Sequence, residues 1–321
     1  MVRSPIGISA YASWIEAVPP REILLQRPVV IPHAGPVDAL PNDLIQEAVE
    51  RALREDVGDG DATSLATVPE DARCAALMNA RGAMTVCGIG LAAEAFSSLA
   101  PDVRIAMKAK DGDRLEAGSS VMTIEGPTRA LLTAERTALN FVQRLSGVAT
   151  LTSRYVDAVA GSGVEILDTR KTTPGWRLME KYAVACGGGR NHRIGLFDMV
   201  MIKDNHLVAL RDAEPNPIAA AVARARETRP DLKVEVEADN LEQVGQAADA
   251  GADIILLDNM NPAELIEAVK IVDGRARTEA SGGITLDTIR GVAMTGVDFI
   301  SVGALTHSAS AVDVGLDFET R

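Results

Sequence analysis

Short apolar runs recur through the second half of the chain, and each run ends at or just before a charged residue or a glycine. Runs rich in β-branched residues predict strands, and helical or glycine-containing segments separate them. The residues that close the later runs are 21 to 34 positions apart, which is enough for a strand, a helix and a return. This alternation predicts a parallel, barrel-like fold. Its strands are expected at Val164–Asp168, Met199–Lys203, Lys233–Glu237, Asp253–Asp258, Arg277–Ala280 and Asp298–Val302.

The residues at the ends of these predicted strands differ in a regular way. Cations end or follow the first two strands, acids end the next two, and glycine-containing turns follow the last two. In a (β/α) barrel the carboxyl ends of the strands converge on one mouth, so six distant sites are predicted to face one pocket. These sites are Arg170 with Lys171, Lys203, Glu237, Asp258, Ser281 with Gly282 and Gly283, and Gly303.

Residues 168–206 concentrate positive charge in a chain that is acidic overall. Seven lysines and arginines stand against four acids there, whereas the whole chain has a formal net charge of −13. A charge at the end of a buried strand needs an anion or a water-filled cavity to offset its desolvation. Arginine suits carboxylates and lysine suits phosphate, so we predict a pocket for a small polyanion rather than a merely solvated face.

The overall composition excludes several functional classes. A pI near 4.9 argues against broad binding to nucleic-acid backbones and against attraction to membrane surfaces. Cys74, Cys87 and Cys186 form no C-x-x-C pair, which is typical of reduced thiols. No apolar run is long enough to span a bilayer, and the start of the chain lacks the pattern of a secretory signal. We therefore expect a cytoplasmic protein with no nucleic-acid or membrane partner.

The first half of the chain has a different pattern. Seven of the fifteen prolines lie within residues 1–41, which we interpret as an extension before the first domain. A helix capped by Asn42 is expected next, followed by short strands and a second helix. A long proline-free helix over residues 133–160 is then expected to bridge two domains.

The expected fold is therefore α/β, with an open (β/α) barrel and an α+β sandwich domain before it. The predicted divisions are residues 1–41 for the extension, 42–146 for the sandwich domain, 147–307 for the barrel, and 308–321 for a tail that packs back on the sandwich domain.

The acids at the strand ends leave two interpretations open. Glu237 and Asp258 either form structural salt bridges or face the mouth, where they would bind hydroxyls, Mg²⁺ or a developing positive charge. Glu235 has the same parity as Glu237 on its strand, so the pattern does not choose between them. His206 and His307 are weaker candidates, since each is nearly as consistent with a structural histidine.

The glycine-rich segments are equally open. Ser281, Gly282, Gly283 and Gly303 follow the last two predicted strands, where barrels often hold a phosphate on backbone N–H groups, although ordinary tight turns are the alternative. The triplet at 187–189 is followed by a cationic stretch, so it fits an anion-contacting loop as well as a plain helix end.

Five motifs, taken in order, resemble the quinolinate phosphoribosyltransferase family of type II phosphoribosyltransferases. The resemblance covers about residues 42–310. The motifs are E-R-T-A-L-N at 135–140, D-T-R-K-T-T-P-G at 168–175, G-G-G-R-N-H-R-I-G-L at 187–196, I-K-D-N-H at 202–206 and L-L-D-N at 256–259.

This resemblance implies a pentosyltransferase that converts quinolinate and phosphoribosyl pyrophosphate into nicotinate mononucleotide, pyrophosphate and CO₂ for NAD biosynthesis. It implies catalytic roles for Lys171, Lys203, Glu237 and Asp258, the last two serving the ribose hydroxyls and Mg²⁺. The quinolinate carboxylates would be held by Arg136, Arg170, His192, Arg193 and Lys203. The phosphoribosyl pyrophosphate would be held by Lys171, Glu237, Asp258, Ser281, Gly282, Gly283, Gly303 and His307.

The resemblance also implies a homodimer or larger assembly. Arg136 lies before the barrel, and its family counterpart enters the active site of the neighbouring subunit. The chain departs from the family pattern in its proline-rich extension and at residues 58–61, where a basic residue of some members is missing.

Three alternatives remain open at this point. One is a related phosphoribosyltransferase that acts on another base, such as the type associated with molybdenum transport genes. Another is a barrel aldolase with Lys203 as a Schiff-base nucleophile. The third is a binding or regulatory protein that has kept the pocket without turnover.

Overall fold

The computed structural model describes residues 40–319. Apart from its last two residues, the predicted extension at 1–41 lies outside this range. The first helix begins at Asn42, and the N-cap position is held by Pro41 without a side-chain hydrogen bond. The prediction that Asn42 caps this helix is therefore wrong. Proline serves at the helix start because its ring fixes φ near the helical value and its missing N–H would have had no partner.

Most of the sandwich half consists of short strands between amphipathic helices. Its first strand and the helix at Ile89–Leu99 lie within two residues of their predicted bounds. The long helix begins at Thr128, five residues earlier than predicted. The elements are α1 (Asn42–Val57), α2 (Ala62–Thr67), β1 (Arg73–Ala80), β2 (Met84–Thr85), α3 (Ile89–Leu99), β3 (Arg104–Met107), β4 (Arg114–Leu115), β5 (Ser120–Pro127) and α4 (Thr128–Ala158).

The second half alternates strands and helices as predicted, and all six predicted strands are present. The elements are β6 (Glu165–Leu167), α5 (Arg177–Cys186), β7 (Val200–Ile202), α6 (Asp204–Val208), α7 (Pro217–Thr228), β8 (Val234–Ala238), α8 (Leu241–Asp249), β9 (Ile254–Asp258), α9 (Pro262–Val272), β10 (Arg277–Ser281), α10 (Ile289–Ala293), β11 (Phe299–Ser301), α11 (Ala304–His307) and β12 (Val314–Phe318).

Six of these strands form one parallel sheet in the order β6-β11-β10-β9-β8-β7. No ladder joins β6 to β7 within residues 40–319, so the barrel is open as expected. Arg190 lies beside the free edge of β6, where its N–H donates to Ile166 at 2.8 Å and its carbonyl accepts from Asp168 at 3.1 Å. These two hydrogen bonds hold the chain at Arg190, just before His192 and Arg193, against the edge of the sheet.

The C-terminal strand returns to the sandwich half. There β12 pairs antiparallel with β1, in a four-stranded sheet of order β12-β1-β5-β3. Asp317 accepts hydrogen bonds from Arg81 at 2.5 Å and from Asn79 at 2.9 Å across this seam. The predicted division at 146/147 falls inside the continuous helix α4, where a Cβ at Gly147 would overlap the backbone of Ser310. Because glycine has no Cβ, Gly147 allows the tail to pass close to α4.

Within residues 40–319, no helix is both long enough and apolar enough to cross a membrane.

Candidate functional site

A cavity of about 460 Å³ opens at the carboxyl ends of the parallel strands. The strand register sets its walls side by side, because Ser281 of β10 lies opposite Asp258 of β9. On the other edge of β9, Leu256 lies opposite Glu237 of β8. The volume is typical of a small-molecule site. Ten residues predicted from the sequence line the cavity, namely Arg170, Lys171, His192, Arg193, Lys203, Glu237, Asp258, Ser281, Gly282 and Gly283.

Six further residues line the cavity without having been predicted. Met201 and Leu256 form an apolar part of the wall, and each lies two positions before a predicted site residue on the same strand face. Period-2 alternation counted back from Lys203 and Asp258 would have found them. The six residues are Thr169, Met201, Leu256, Asn259, Glu279 and Ser301.

The loop after β6 carries two cations into the cavity wall. The hydroxyl of Thr169 accepts the N–H of Lys171 at 3.0 Å, and the hydroxyl of Thr306 donates to the Lys171 carbonyl at 2.7 Å. Neither Arg170 nor Lys171 forms an ion pair with a carboxylate in the part of the chain that the structure describes. The Nε of Arg170 is buried without a hydrogen-bond partner there. Both side chains are therefore available to an anionic ligand.

Asp168 organises a fully buried network behind this loop. Its carboxylate accepts hydrogen bonds from the ammonium of Lys181, from Nδ2 of Asn191 at 2.7 Å and from the N–H of His192 at 2.8 Å. Burial raises the pKa of Asp168 and lowers the pKa of Lys181, while their mutual attraction opposes both shifts. The network holds the backbone of the segment that carries His192 and Arg193.

Three of the seven cations in residues 168–206 face away from the cavity. Lys181 is buried in the network described above, and Arg190 forms an ion pair with Glu165 at 2.9 Å. Arg177 donates to two backbone carbonyls and a threonine hydroxyl. The four cations that line the cavity are Arg170, Lys171, Arg193 and Lys203.

The glycine triplet at 187–189 does not line the cavity. A Cβ at Gly187 would lie 2.5 Å from the carbonyl oxygen of Ala149, and one at Gly189 would lie 2.8 Å from Cγ2 of Thr152. Both neighbours belong to α4, so the glycines let the chain pass close to this helix. Of the two interpretations, the structure supports packing at a helix end rather than anion contact.

Arg193 is largely buried, yet it has no ion pair with a carboxylate among the described residues. Its guanidinium donates weakly to the carbonyl of Met199 and to the sulfur of Met201, both at 3.3 Å. Burial and the nearby charge of Arg170 lower its pKa. Such a cation is stabilised by an anion in the cavity.

His192 turns both ring nitrogens toward the protein. Its Nδ1 accepts the N–H of Arg193 at 2.8 Å, and its Nε2 lies 2.9 Å from Glu235 and 3.5 Å from Glu279. Burial lowers the pKa of His192, but the two carboxylates raise it and outweigh burial. The hydrogen bond to Nδ1 opposes a second proton on the ring. A direct bond from this ring to a ligand carboxylate would require one of these contacts to be given up.

Lys203 and Glu237 contact each other across the strand ends of β7 and β8. Glu237 therefore faces the cavity, whereas Glu235 is buried one layer deeper, and this resolves the ambiguity in the sequence pattern. His206 accepts the backbone N–H of Lys203 on Nδ1 at 2.9 Å and so orders the start of α6. The structural interpretation applies to this histidine.

The turn after β9 supports the glycine loop after β10. Asn259 adopts a φ of 56°, donates from its side chain to Asp258 at 2.6 Å and donates from its backbone to Ser281 at 2.9 Å. Gly282 has a φ of 101°, and a Cβ there would overlap the side chain of Asn259. Only glycine fits this approach, and it leaves Gly282 and Gly283 as bare backbone at the cavity wall.

Gly303 and His307 lie beside the cavity rather than among its lining residues. A Cβ at Gly303 would be 3.1 Å from Nε2 of His307 and 3.1 Å from Cδ of Lys171. These two predicted residues are therefore neighbours of Lys171.

Arg136 is the one predicted residue that the structure leaves apart from the others. It is exposed on α4 and does not line the cavity of its own chain.

Comparisons with known proteins show which family the chain resembles. Two family profiles, described as the N-terminal and C-terminal domains of quinolinate phosphoribosyl transferase, match residues 61–146 and 148–317. A probable nicotinate-nucleotide pyrophosphorylase [carboxylating] of Bacillus subtilis (strain 168) is 42% identical over 274 residues, 85% of this chain and 93% of that protein. The nicotinate-nucleotide pyrophosphorylase [carboxylating] of Mycobacterium leprae is 41% identical over 281 residues, 86% of this chain and 97% of that protein.

Solved structures give the same result. The nicotinate-nucleotide pyrophosphorylase of Francisella tularensis superposes with a TM-score of 0.83 at 40% identity, covering 89% of this chain and 100% of that one.

Proposed function

The chain belongs to the quinolinate phosphoribosyltransferase family, and from this premise we propose that the cavity at the carboxyl strand ends is its active site. The enzyme transfers the phosphoribosyl group of phosphoribosyl pyrophosphate to quinolinate and releases pyrophosphate and CO₂, a step of NAD biosynthesis. The observation that carries the assignment of the site is that one cavity gathers four cations, the carboxylates of Glu237 and Asp258, and bare glycine backbone. A substrate pair with carboxylates, phosphates and a sugar matches this mixture.

We assign the quinolinate half to the cationic wall, by which we mean the part of the cavity lined by Arg170, Arg193 and Lys203. Arg170, Arg193 and Lys203 are placed to pair with the two carboxylates of the base, and Met201 with Leu256 offers an apolar surface to its ring. Binding of the dianion would supply the counter-charge that Arg170 and Arg193 lack in the ligand-free chain. We assign His192 an indirect part, because its ring nitrogens are already engaged.

We assign the phosphoribosyl half to the part of the cavity wall that Glu237, Asp258 and the glycine loop after β10 form. The backbone of Gly282 and Gly283, with Gly303 and His307 nearby, is placed to hold the 5′-phosphate, and Lys171 lies between the two halves. Departure of pyrophosphate leaves positive charge on the ribose ring, which the carboxylates of Glu237 and Asp258 can stabilise.

Mg²⁺ fits the donor set on this wall, because Glu237 and Asp258 present the carboxylate oxygens that hard cations prefer. We propose that these two residues hold it together with the substrate. When bound, the ion would neutralise charge on the leaving pyrophosphate.

Decarboxylation follows from the bond that the transfer creates. Joining the ring nitrogen to the ribose makes this nitrogen cationic, so it draws electron density from the adjacent carbon. The bond from this carbon to the 2-carboxylate then breaks, CO₂ leaves, and the electron pair left on the carbon is stabilised by the neighbouring charge until it takes up a proton. Exclusion of water by the cavity wall strengthens this stabilisation.

Release of CO₂ from carboxyl-labelled quinolinate tests the activity directly. We expect release that depends on phosphoribosyl pyrophosphate, and no comparable product with nicotinate as the control base. Turnover of nicotinate without turnover of quinolinate would contradict the assignment. The cytoplasm remains the predicted location; the curated plant relatives are described as chloroplastic or mitochondrial.

We further propose that the active unit is a homodimer in which Arg136 completes the cavity of the partner subunit. In support, Arg136 is exposed on α4 and does not line the cavity of its own chain. Heterodimers that carry R136A in one subunit and K203A in the other, purified by two different tags, test the proposal. If Arg136 acts across the interface, one of the two sites is intact, and about half of the wild-type kcat is expected. If Arg136 acts within its own chain, both sites are damaged and the heterodimer should be as inactive as either homodimer.

A further inference from the structure

Two buried acids lie at the base of the candidate active site, each two positions before a cavity residue on its strand. Glu235 of β8 lies opposite Ile254 of β9, two positions before the cavity residue Glu237. Glu279 of β10 lies opposite Leu256, two positions before Ser281. Both glutamates are almost completely inaccessible to solvent. Glu235 therefore lies below the residues that line the cavity, whereas Glu279 belongs to the cavity wall although it is almost fully buried.

The ring of His192 lies against both acids. Its Nε2 lies 2.9 Å from Oε2 of Glu235 and 3.5 Å from Oε2 of Glu279. Neither acid forms an ion pair with a lysine or arginine in the described chain. The contacts with the ring are close approaches rather than well-directed hydrogen bonds, because both oxygens of Glu235, Oε2 of Glu279 and Nε2 of His192 are all buried without a hydrogen-bond partner. Two buried carboxylates without other partners are costly, so their position against this ring needs an explanation.

The other ring nitrogen fixes the protonation state of the imidazole. The backbone N–H of Arg193 donates to Nδ1 at 2.8 Å, so Nδ1 carries no proton. The ring proton must then be on Nε2, where it faces the two carboxylates. A cation held by the same three side chains would need the Nε2 lone pair, which this tautomer does not offer.

The contact between Nδ1 and the Arg193 amide leads from the buried acids to the substrate wall. The guanidinium of Arg193 lines the cavity, and its only side-chain hydrogen bonds among the described residues are two weak ones at 3.3 Å. Its position therefore depends on its backbone, which the ring of His192 holds through the Arg193 amide.

We propose that Glu235 and Glu279 are positioning residues for the quinolinate half of the site. They hold His192 in the tautomer protonated on Nε2, and this tautomer anchors Arg193 so that its guanidinium meets a substrate carboxylate. Glu235 does not line the cavity, and Glu279, which borders it, is assigned the same indirect role through the ring of His192. The inference rests on the proposed function, because it assumes that the cationic wall binds quinolinate.

The kinetic test uses the variants E235Q and E279Q, which keep the shape of the side chain and remove its charge. We expect the KM for quinolinate to rise about tenfold or more, as when an outer partner of a ligand-holding histidine is lost, and the KM for phosphoribosyl pyrophosphate to change less than about twofold. In an H192A background the effect of E235Q on the KM for quinolinate should disappear, because the coupling passes through the ring.

The variant D253N is the matched control. Asp253 precedes β9 at the opposite end of the sheet, where it accepts bonds from Arg226 and from the N–H of Val234. It should lower the thermal midpoint without changing the KM for quinolinate. If E235Q and E279Q behave like D253N, the two acids are merely structural and the proposal is overturned.

A spectroscopic measurement makes the test independent of turnover. The chain has four histidines, so the ¹⁵N shifts of the His192 ring can be assigned with H192A as reference. We expect a protonated Nε2 and an unprotonated Nδ1 in the wild type, and a mixture of tautomers in the E235Q/E279Q double variant. An unprotonated Nε2, or a stoichiometric metal ion removed by H192A, would overturn the proposal even in an active enzyme. Failure of wild-type CO₂ release alone would instead refute the proposed function.

Discussion

The two ends of the parallel sheet carry cavities of comparable size, but they differ in whether their charged side chains are paired. The cavity at the amino ends measures about 600 Å³ and that at the carboxyl ends about 460 Å³. At the amino ends the charged side chains are paired, Arg277 with Asp298 and Arg226 with Asp253. At the carboxyl ends Arg170, Lys171 and Arg193 have no carboxylate partner in the described chain. Size therefore does not identify the active site, whereas uncompensated charge does.

The comparison has a physical reason. Charges that serve only the fold reach a low free energy when they pair with each other. Charges that serve an anionic ligand must remain unpaired until the ligand arrives, so they are maintained at some cost in stability. Among the described residues, the fold thus contains paired charges at the amino ends of the sheet and, apart from the Lys203–Glu237 pair, cations without carboxylate partners at the carboxyl ends.

The largest effect is expected at the buried ion pair of Lys181 with Asp168, behind the carboxyl ends. Lys181→Met leaves Asp168 as an uncompensated buried carboxylate, which typically costs about 3–5 kcal/mol of unfolding free energy. Urea unfolding would measure this loss. A loss below about 1 kcal/mol would mean that this pair behaves like a surface pair and would weaken the comparison.

The next effect concerns function rather than stability. Arg170→Ala removes charge-assisted hydrogen bonds to the substrate, worth about 1.5–3 kcal/mol, so kcat/KM for quinolinate should fall about 10- to 150-fold. The thermal midpoint should stay close to that of the wild type, because Arg170 has no ion pair to lose. Arg190→Ala is the control, since Arg190 lies in the same cationic segment but pairs with Glu165. If Arg170→Ala lowers the thermal midpoint as severely as it lowers kcat/KM for quinolinate, Arg170 has a structural role and the assignment to substrate binding is wrong.

A smaller effect is expected at the amino ends. Arg277→Ala breaks an exposed pair with Asp298 and should cost no more than about 1 kcal/mol of unfolding free energy. Steady-state assays should show kcat and both KM values unchanged. If kcat/KM for quinolinate falls more than about threefold, the amino ends are not functionally silent and the contrast between the two ends fails.

The smallest effect is expected at an ion pair that lies at neither end of the parallel sheet, namely Arg81 with Asp317. Hydrogen bonds from Arg81 and Asn79 lower the pKa of Asp317, which fastens β12 to β1. Because the folded pKa lies below the ordinary value of 3.8, this stabilisation is present above that value and is lost as the pH falls through the folded pKa. The difference in thermal midpoint between about pH 6 and about pH 3 should shrink in Asp317→Asn. Arg81→Ala should shrink it as well, and an unchanged difference in both variants would contradict the assignment.

Much of the barrel could be predicted because its signal is local. Strand β9 is a buried apolar run that ends in Asp258, and β8 alternates valine with glutamate, so the position of each strand follows from its local pattern alone. Ten cavity residues were predicted in this way or from the motifs. The cap of α1 was missed, because Pro41 and Asn42 both suit a helix start and a single position separates them.

The sequence pattern could not show which side chains of the site point into the cavity and which point into the protein. Lys171 and Lys181 lie in the same cationic segment, but α5 turns Lys181 inward onto Asp168 while the loop leaves Lys171 in the cavity wall. His192 was predicted to bind the substrate and lines the cavity, and the sequence did not reveal that its ring nitrogens also lie against Glu235 and the amide of Arg193. Each difference depends on a partner from another element, and spacing along one segment contains no information about that partner.

The sequence by itself determined the order of strands and helices, the single mouth to which the strand ends point, and the chemical types gathered there. Periodicity and charge are properties of neighbouring residues, so they can be read without coordinates. Only the tertiary structure decided which charges are paired. Glu237 faces Lys203 at the mouth, and Glu235 lies beneath it against His192. Pairing depends on distances between separate strands, which are set when the sheet curls and the helices pack on it.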